Sequence, residues 1–344
     1  MRGTPHLIIV SSNIKTIARP ALAEEKYHSK KPDRSQFDAR ADRIFRWFVA
    51  GAATLVLVVL AASGVSMLWG GRLAFETFGW HFLFSSDWDA VNKNFGAFVP
   101  VYGTLVSATI AMLVAVPVSF GIAFFLTEVA PYWLRTPVAA AVELLAGVPS
   151  IIYGMWGLFV FVPFMADNVL PWVNENLGEL PWIGALFQGP PLGIGMLTAG
   201  IVLAIMVIPF ISSIMRDVFL SVPRGLKESA YSLGATTWEV VWDIVLPYTR
   251  TAVVGGIFLG LGRALGETMA VTFVLGNAHQ LSASLLMPGN SIAATIANEF
   301  TEADSDIYLS SLVALGFLLF VVTFVVLVIA RLMLRSTAAE GGRA

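Results

Sequence analysis

Hydrophobic residues in this chain are gathered into six long runs, and most polar residues lie in the segments between them. A helix needs about 20 consecutive apolar residues to cross the hydrocarbon core of a bilayer, and each run is long enough. The pattern therefore predicts an all-α integral membrane protein with six transmembrane helices in residues 44–338. The runs cover residues 47–68, 101–126, 138–164, 192–215, 252–275 and 308–334.

The placement of lysine and arginine predicts which side each loop faces. Of the 21 such residues, ten precede the first run, and eight lie in the second loop, in the fourth loop or near the C-terminus. The first loop contains only Arg72 and Lys93, and Arg263 lies inside the fifth run. Because an excess of lysine and arginine marks the cytoplasmic side, both termini and the fourth loop are expected in the cytoplasm.

The predicted location is the inner or plasma membrane, crossed several times. Residues 1–43 are expected to form a cytoplasmic tail that is poorly ordered up to about Ser35, and residues 339–344 a short C-terminal tail. No apolar stretch in the first 46 residues is long enough for a signal peptide.

The composition mainly excludes classes of protein and of site. Charged residues make up only 13% of the chain, against about 25% in soluble domains, and the net charge of -2 indicates no nucleic-acid partner. There is no cysteine, and the four histidines lie outside the runs, so we predict no metal site. Residues 260–268 have neither the spacing nor the lysine of a phosphate-binding loop. The chain is therefore expected to bind no cofactor and to hydrolyse no ATP itself.

Two loops on the predicted outer side have distinct compositions. Residues 165–191 combine four prolines with Trp172 and Trp182, which is typical of an interfacial segment. In the next outer loop, the spacing of Ile292, Ile296 and Phe300 predicts a short amphipathic helix. The acidic residues that follow are Glu299, Glu302, Asp304 and Asp306. These loops are either a docking surface for an extracytoplasmic partner or ordinary solvated loops.

The fourth loop contains several helix signals close together. Pro223 suits the first turn of a helix. Gly234 is expected to end this helix, because glycine easily adopts a left-handed backbone. Thr236 followed by Glu239 forms a capping box that starts a second helix, which Pro247 is expected to end. We therefore predict a helix–turn–helix along the cytoplasmic face.

Residues 223–247 resemble the EAA loop of ABC importer permeases. The matching positions are Glu228, Ser229, Ala230, Gly234, Ile244, Leu246 and Pro247. The resemblance implies the type I importer permease architecture and a coupling element that docks on a separate ATP-hydrolysing subunit. Arg224, Lys227 and Glu228 are expected at the rim of that contact. A plain amphipathic loop is the alternative, and the full spacing favours coupling.

Within the fifth run, Arg263 is the residue whose insertion into the bilayer costs the most free energy. It lies eleven residues after Ala252, about 16 Å into the core at the rise of an α-helix, where an arginine costs roughly 2.5–3.5 kcal/mol. Glu267 is predicted one helical turn away on the same face. One hypothesis is that the two charges neutralise each other and stabilise the bundle. The other is that they form an oxyanion site, in which Glu267 either orients the guanidinium or pairs with it until the substrate binds. The planar fork of arginine matches oxyanions and favours the second hypothesis.

Four further segments resemble signatures of the phosphate-specific (Pst-type) importer permeases. They are residues 121–128, 145–154, 263–271 and 291–299. The sequence Met-Ala-Val at residues 269–271 resembles the C-type subunit, whereas the sister A-type subunit usually has Thr-Ala-Pro there. The resemblance extends from about Ile44 to Leu334.

The resemblance implies that Arg263 and Glu267 carry the charges of the translocation pathway, with Thr268 in the same signature. Ser150 and Tyr153 lie next to Pro149, where an interrupted helix frees backbone groups and hydroxyls to line a cavity. A helix kink packed by small residues is the alternative for each of them.

By resemblance, a C-type permease assembles with an A-type permease, two ATP-binding subunits and an extracytoplasmic phosphate-binding protein. The functional hypothesis is ATP-driven import of inorganic phosphate by alternating access. Import of sulfate or molybdate stays an alternative, because one arginine does not discriminate among tetrahedral anions. An intramembrane enzyme such as a lipid phosphatase is disfavoured because no nucleophile or metal spacing is present, and a passive channel would not need an EAA loop.

Overall fold

The structure is a computed structural model that describes the backbone of residues 34–341 and the side chains of residues 41–332. The predicted N-terminal tail up to residue 33, and residues 342–344 of the predicted C-terminal tail, lie outside the described residues. The first helix begins at Arg34 and continues without interruption to Gly70. The chain divides into two compact units at Val59, inside this helix.

Helices dominate the described chain, and one two-stranded antiparallel sheet lies between the first and second spans. The strands are β1 (Trp88–Asp89) and β2 (Asn94–Phe95). In chain order the α-helices are α1 (Arg34–Gly70), α2 (Arg72–Phe78), α3 (His81–Phe84), α4 (Phe98–Phe124), α5 (Tyr132–Ala146), α6 (Ser150–Trp156), α7 (Val162–Phe164), α8 (Leu170–Leu177), α9 (Met196–Leu220), α10 (Arg224–Ser232), α11 (Thr237–Glu239), α12 (Leu246–Leu265), α13 (Met269–Leu275), α14 (Ile292–Glu299) and α15 (Asp306–Gly341).

Six helical stretches of the described chain are long and apolar enough to cross a membrane. They are Ala41–Gly70, Phe98–Val129, Ser150–Leu177, Met196–Leu220, Thr237–Leu265 and Asp306–Leu332. In an apolar window of 18 residues within the fourth stretch, 61% of the residues are buried, against at most 28% in the corresponding windows of the other five. Helix α9 is therefore the centre of the bundle, and the other spans leave much apolar surface for lipid or for other chains.

Small residues bring α9 and α4 into close contact. Ala108, Ala111 and Ala115 of α4 are almost completely buried, as are Ala199 and Ala204 of α9. In a membrane, such residues let helix backbones approach and gain dispersion energy without large side chains between them. The pair α4–α9 thus forms the rigid core on which the more broken helices pack.

Prolines explain the irregular turns of the long helices. Wider π-helical turns occupy Phe125–Val129, Gly157–Phe161, Met165–Val169 and Val240–Val245, each ending two residues before a proline. Proline removes one helical hydrogen bond and crowds the carbonyl four residues earlier. A single wider turn moves that carbonyl aside and lets the helix continue.

The expectation that Pro247 ends the second helix of the fourth loop is therefore wrong. Leu246, which precedes Pro247, keeps a helical backbone (φ -63°, ψ -49°), and the helix continues into the fifth span. At Pro131 the helix does end, because Ala130 adopts an extended backbone (ψ 138°). The residue before a proline is only biased towards extended structure, and here packing decides between the two outcomes.

The third and fifth predicted spans are not continuous helices. Helix α5 ends at Ala146, and a new helix begins at Ser150 after the turn that contains Pro149. The predicted span 138–164 thus combines parts of two helices, and the long apolar stretch is Ser150–Leu177. In the fifth span, α12 ends at Leu265 and α13 begins at Met269. The fifth long apolar stretch is Thr237–Leu265, whereas the predicted fifth span is 252–275, and hydrophobicity carried no signal for either break.

Candidate translocation site and coupling loop

The two helix breaks meet at Gly154. A Cβ atom on this residue would lie 2.9 Å from the carbonyl oxygen of Met269 and 3.0 Å from the Cα of Ala270. Such a short approach is possible only because glycine has no side chain, so α6 crosses the first turn of α13 directly. The predicted pathway residues of the third span and those of the fifth span are thereby brought to one region.

Glu267 lies in the break between α12 and α13, not on a continuous helix with Arg263. Its Oε1 accepts a hydrogen bond from the backbone N–H of Ala270 (3.2 Å), which satisfies a free donor in the first turn of α13. Among the described side chains, no ion pair joins Arg263 to Glu267. The expected turn-to-turn pair is wrong because α12 ends two residues after Arg263.

Arg263 occupies the last turn of α12 and is half-buried. Its guanidinium carbon lies 5.7 Å from the centre of the Phe210 ring on α9, within reach of a cation–π attraction. Its Nε–H is buried and has no hydrogen-bond acceptor in the described chain. A buried charged donor without an acceptor is costly, so this group is ready to receive an anionic ligand.

Tyr153 and Ser150 lie on the first turns of α6 and are half-buried. The Tyr153 hydroxyl donates to the carbonyl oxygen of Leu145 (3.0 Å), which also accepts from the Val148 N–H at the break (3.2 Å). The charge of Arg263 acts electrostatically on the same hydroxyl. Thr268 is also half-buried, and its carbonyl accepts the Thr272 hydroxyl at the start of α13 (2.7 Å).

The predicted turn of the coupling loop is confirmed. Gly234 has φ +91°, a left-handed backbone that favours glycine. The Thr236 hydroxyl accepts from the Glu239 N–H (3.4 Å), and the Glu239 carboxylate accepts from the Thr236 N–H (2.7 Å). This reciprocal capping box starts α11 as the sequence predicts.

The coupling loop exposes a large apolar surface. Glu228, Ser229, Gly234 and Pro247 of the EAA motif are exposed, whereas Ala230 and Leu246 are half-buried against the core. Large exposed apolar side chains surround them: Leu226, Tyr231, Leu233, Trp238, Trp242 and Tyr248. Leu233 at the turn is 89% exposed. Apolar patches of this kind mark surfaces that bind other macromolecules.

Lys227 does not lie at the rim of that surface, as expected, but turns inward. Its Nζ lies 2.6 Å from Oε1 of Glu128 and donates to the carbonyl oxygen of Phe219 (3.3 Å). The side chain of Glu128 is only 7% exposed and that of Lys227 only 15%. Sequence reasoning missed this pair, although Glu128 ends one of the four family-like segments.

Glu299, predicted as part of an acidic loop end, is also turned inward. Its carboxylate accepts hydrogen bonds from Trp88 Nε1 and the Tyr308 hydroxyl (both 2.7 Å), and His279 Nε2 lies 2.7 Å away. The Trp88 and His279 rings stack at 5.2 Å. Glu302, Asp304 and Asp306 remain exposed, so one of four acidic residues is structural. The predicted short helix is confirmed as α14.

Two broken membrane helices cross beside an arginine that has no paired carboxylate in the described chain. Discontinuous spanning helices with charged or polar groups at the break are characteristic of transport sites. The fold and the site therefore define a multi-pass membrane transport protein.

Comparison with known proteins gives the family. Residues 119–338 match the family described as binding-protein-dependent transport system inner membrane component, and the chain belongs to it. The chain is 65% identical over 305 residues to the phosphate transport system permease protein PstC of Xylella fastidiosa strain 9a5c, covering 89% of this chain and 94% of the relative. It is 56% identical over 300 residues to the protein of the same name from Pasteurella multocida, covering 87% and 93%.

The fold is also found among solved structures. A chain in the crystal structure of a bacterial alginate ABC transporter, bound to its periplasmic protein, matches with a TM-score of 0.57 at 20% identity, covering 87% of this chain and 96% of that chain. The predicted architecture of a type I ABC importer permease is therefore confirmed.

Proposed function

We propose that this chain is the permease subunit of an ATP-driven importer of inorganic phosphate. The observation that carries the proposal is the guanidinium of Arg263, whose Nε–H lacks an acceptor where the broken third and fifth spans cross. The substrate follows from the relatives described above, which are named phosphate transport permeases. Sulfate and molybdate have the same tetrahedral oxyanion chemistry, so the test must include them.

Arg263 suits the oxyanion because its donors form a rigid planar fork. Two parallel N–H groups can bind two phosphate oxygens at once, and both partners are charged, which strengthens each hydrogen bond. The ring of Phe210 holds the guanidinium from one face. Ser150, Tyr153, Glu267 and Thr268 are the neighbours that would complete the pathway, with Glu267 also stabilising the break.

The coupling loop would receive the energy from partner subunits. Two ATP-binding subunits would bind and hydrolyse ATP, and one would dock on the exposed surface around Leu233 and Trp238. The EAA residues Glu228, Ser229, Ala230, Gly234, Leu246 and Pro247 would form or support that contact. The permease would need no cofactor of its own.

A sister A-type permease would complete the membrane domain. Large apolar side chains on both sides of the break at Pro149 are exposed in this chain, among them Leu144 (76%) and Phe159 (73%), and they are available for lipid or for a second permease. An extracytoplasmic phosphate-binding protein would dock on the opposite face. The lysine and arginine distribution supports cytoplasmic termini and a cytoplasmic coupling loop.

Transport would proceed by alternating access. Phosphate would arrive on its binding protein, and closure of the two ATP-loaded subunits would move the coupling loop and open the helices outward. Phosphate would then meet Arg263 at the crossing of the two breaks. Hydrolysis of ATP would return the helices and release the anion to the cytoplasm.

Reconstitution tests the proposal. The chain is co-expressed with the A-type permease and the ATP-binding subunit of its own organism, and the complex is placed in liposomes with the binding protein outside. We expect ATP-dependent uptake of radiolabelled phosphate that excess unlabelled phosphate abolishes and excess sulfate or molybdate does not. Uptake blocked more strongly by sulfate or molybdate would assign another oxyanion, and uptake without ATP would contradict the importer class.

A further inference from the structure

The coupling helix α10 is held to the membrane-spanning helices by very little apolar packing. None of its nine residues is fully buried. Two residues of α10, Lys227 and Ala230, are partly buried against the rest of the protein. The chain that leads into the helix is buried at Val222, which is 3% exposed. The side chain of Ala230 is a single methyl group, so it contributes little packing area between α10 and the spanning helices.

Among the described residues of α10, Lys227 makes the ion pair and the hydrogen bond that reach the spanning helices. Its ammonium group lies between Oε1 of Glu128 (2.6 Å) and the carbonyl oxygen of Phe219 (3.3 Å). Glu128 lies at the end of the second span, and Phe219 is next to the last residue of the fourth. One side chain thus connects the coupling helix to the ends of the second and fourth spans, whose helices α4 and α9 pack closely.

We propose that Lys227 and Glu128 form the tether that passes movement of the coupling helix to the second and fourth spans. A charge pair shielded from water resists separation, because each charge would be left without its partner in a poorly solvated place. The carboxylate lies in the π-helical turn Phe125–Val129, where the helical hydrogen-bond pattern is already interrupted. Such turns often mark functional sites, and here the span end can shift without breaking a regular helix.

The tether differs from a second ion pair between helices of the described chain. Arg216 Nη1 also lies 2.7 Å from a carboxylate, Oε1 of Glu143, but this pair joins α9 to α5 and does not involve the coupling loop. Glu143 is 53% exposed, so solvent screens the pair. It serves as a control because it is also a short ion pair to a glutamate between two helices, but has no connection to α10.

The experiment measures phosphate imported per ATP hydrolysed by the complete reconstituted complex, together with recovery of the ATP-binding subunits on purification. The variants are Lys227→Met, Glu128→Gln, the double neutral variant Lys227→Met/Glu128→Gln, the exchanged pair Lys227→Glu/Glu128→Lys, and the control Glu143→Gln. The ratio is the decisive readout, because a merely structural loss lowers uptake and ATP hydrolysis together and leaves their ratio unchanged.

We expect the ratio to fall by roughly 5- to 150-fold in each single variant and in the double neutral variant, the range of coupling between distant sites. The ATP-binding subunits should still co-purify, since the exposed docking surface is intact. The exchanged pair should recover most of the ratio, and Glu143→Gln should change it by less than about fivefold.

The inference is overturned if the single variants assemble and keep the wild-type ratio. Should they fail to assemble because one charge is left unpaired, the double neutral variant decides, since it leaves no buried charge behind. A wild-type ratio in that variant also overturns the tether. The inference rests on the proposed function, and the two failures are distinguishable: a wild-type complex that imports no phosphate contradicts the proposed function itself.

Discussion

The guanidinium carbon of Arg263 lies 5.7 Å from the centre of the Phe210 ring, while its Nε–H has no acceptor in the described chain. The aromatic face holds the cation in position without neutralising it. An arginine that is held but not paired can bind an anion and release it again, which a strong ion pair with Glu267 would hinder. The proposed function of the fifth span rests on this arrangement.

Replacement of Arg263 by glutamine should abolish phosphate uptake while the complex still assembles. Glutamine retains a polar amide but loses the charge and the two-pronged donor. Hydrogen bonds to charged groups contribute about 1.5–3 kcal/mol, so we expect uptake to fall by at least about tenfold. Initial uptake rates in proteoliposomes check this, with co-purification of the ATP-binding subunits as the assembly measure.

Arg263→Lys is the matched control for charge alone. Lysine keeps the positive charge but presents a compact ammonium group without the planar fork. Uptake intermediate between wild type and Arg263→Gln would show that both charge and shape contribute. Normal uptake by the glutamine variant would remove Arg263 from the pathway.

Gly234→Asp should weaken association with the ATP-binding subunits. The left-handed backbone at this turn (φ +91°) disfavours a side chain by about 1–2 kcal/mol, so the angle between α10 and α11 should change. Gly225→Asp places the same charge on α10, where the backbone is helical and an added Cβ meets no atom within 4 Å. Quantitative co-purification should show a clear loss for Gly234→Asp and a smaller one for Gly225→Asp; equal recovery of both would contradict the role of the turn.

Gly154→Val should separate the two helix breaks. Its Cβ would lie 2.8 Å from the Phe273 ring and 2.9 Å from the Met269 carbonyl oxygen. Overpacking of this kind costs about 1–3 kcal/mol, so both thermal stability and uptake should fall. Gly121→Val is the control, because a Cβ there meets no atom within 4 Å. Thermal unfolding in detergent checks the comparison, and equal midpoints would show that α6 and α13 do not need this close approach.

Because of Glu299, the free energy of unfolding of the outer region should depend on pH. Burial raises the pKa of Glu299, but hydrogen bonds from His279, Tyr308 and Trp88 outweigh it, so the pKa lies below its ordinary value of 4.5. A carboxyl group with a depressed folded-state pKa stabilises the fold above its ordinary pKa, and this contribution is lost as the pH falls through the folded value.

The thermal unfolding midpoint of wild-type protein should therefore fall as the pH is lowered below 4.5, the ordinary pKa of Glu299. Glu299→Gln keeps hydrogen-bonding atoms in nearly the same places but does not take up a proton in this pH range, so its midpoint should depend less on pH there. Equal slopes for the two proteins would show that other carboxylates dominate acid destabilisation.

Several local features could be predicted because their causes lie within a few residues. The capping box of Thr236 and Glu239 and the left-handed turn at Gly234 depend on neighbours three residues apart or on one residue's own backbone. The helix α14 follows from the spacing of its apolar residues. The prediction that Pro247 ends a helix was wrong because a wider helical turn before it accommodates the proline.

The orientation of charged side chains could not be predicted, because it depends on which helices meet. Lys227 turns inward only because the ends of the second and fourth spans lie beside it. Glu299 is buried because Trp88 and Tyr308, 211 and 9 residues away in sequence, converge on it. A helical spacing rule placed Glu267 beside Arg263, but the break after Leu265 redirects it to Ala270.

The sequence by itself determined the six apolar segments, the family and the identity of the costly arginine. Hydrophobicity, motif spacing and the price of a charge in lipid are properties of residues and short segments. Only the tertiary structure decided where the spans break, that the two breaks meet at Gly154, and that Arg263 is left without a carboxylate partner in the described chain. These depend on close contacts between helices far apart in sequence, and no local pattern encodes such contacts.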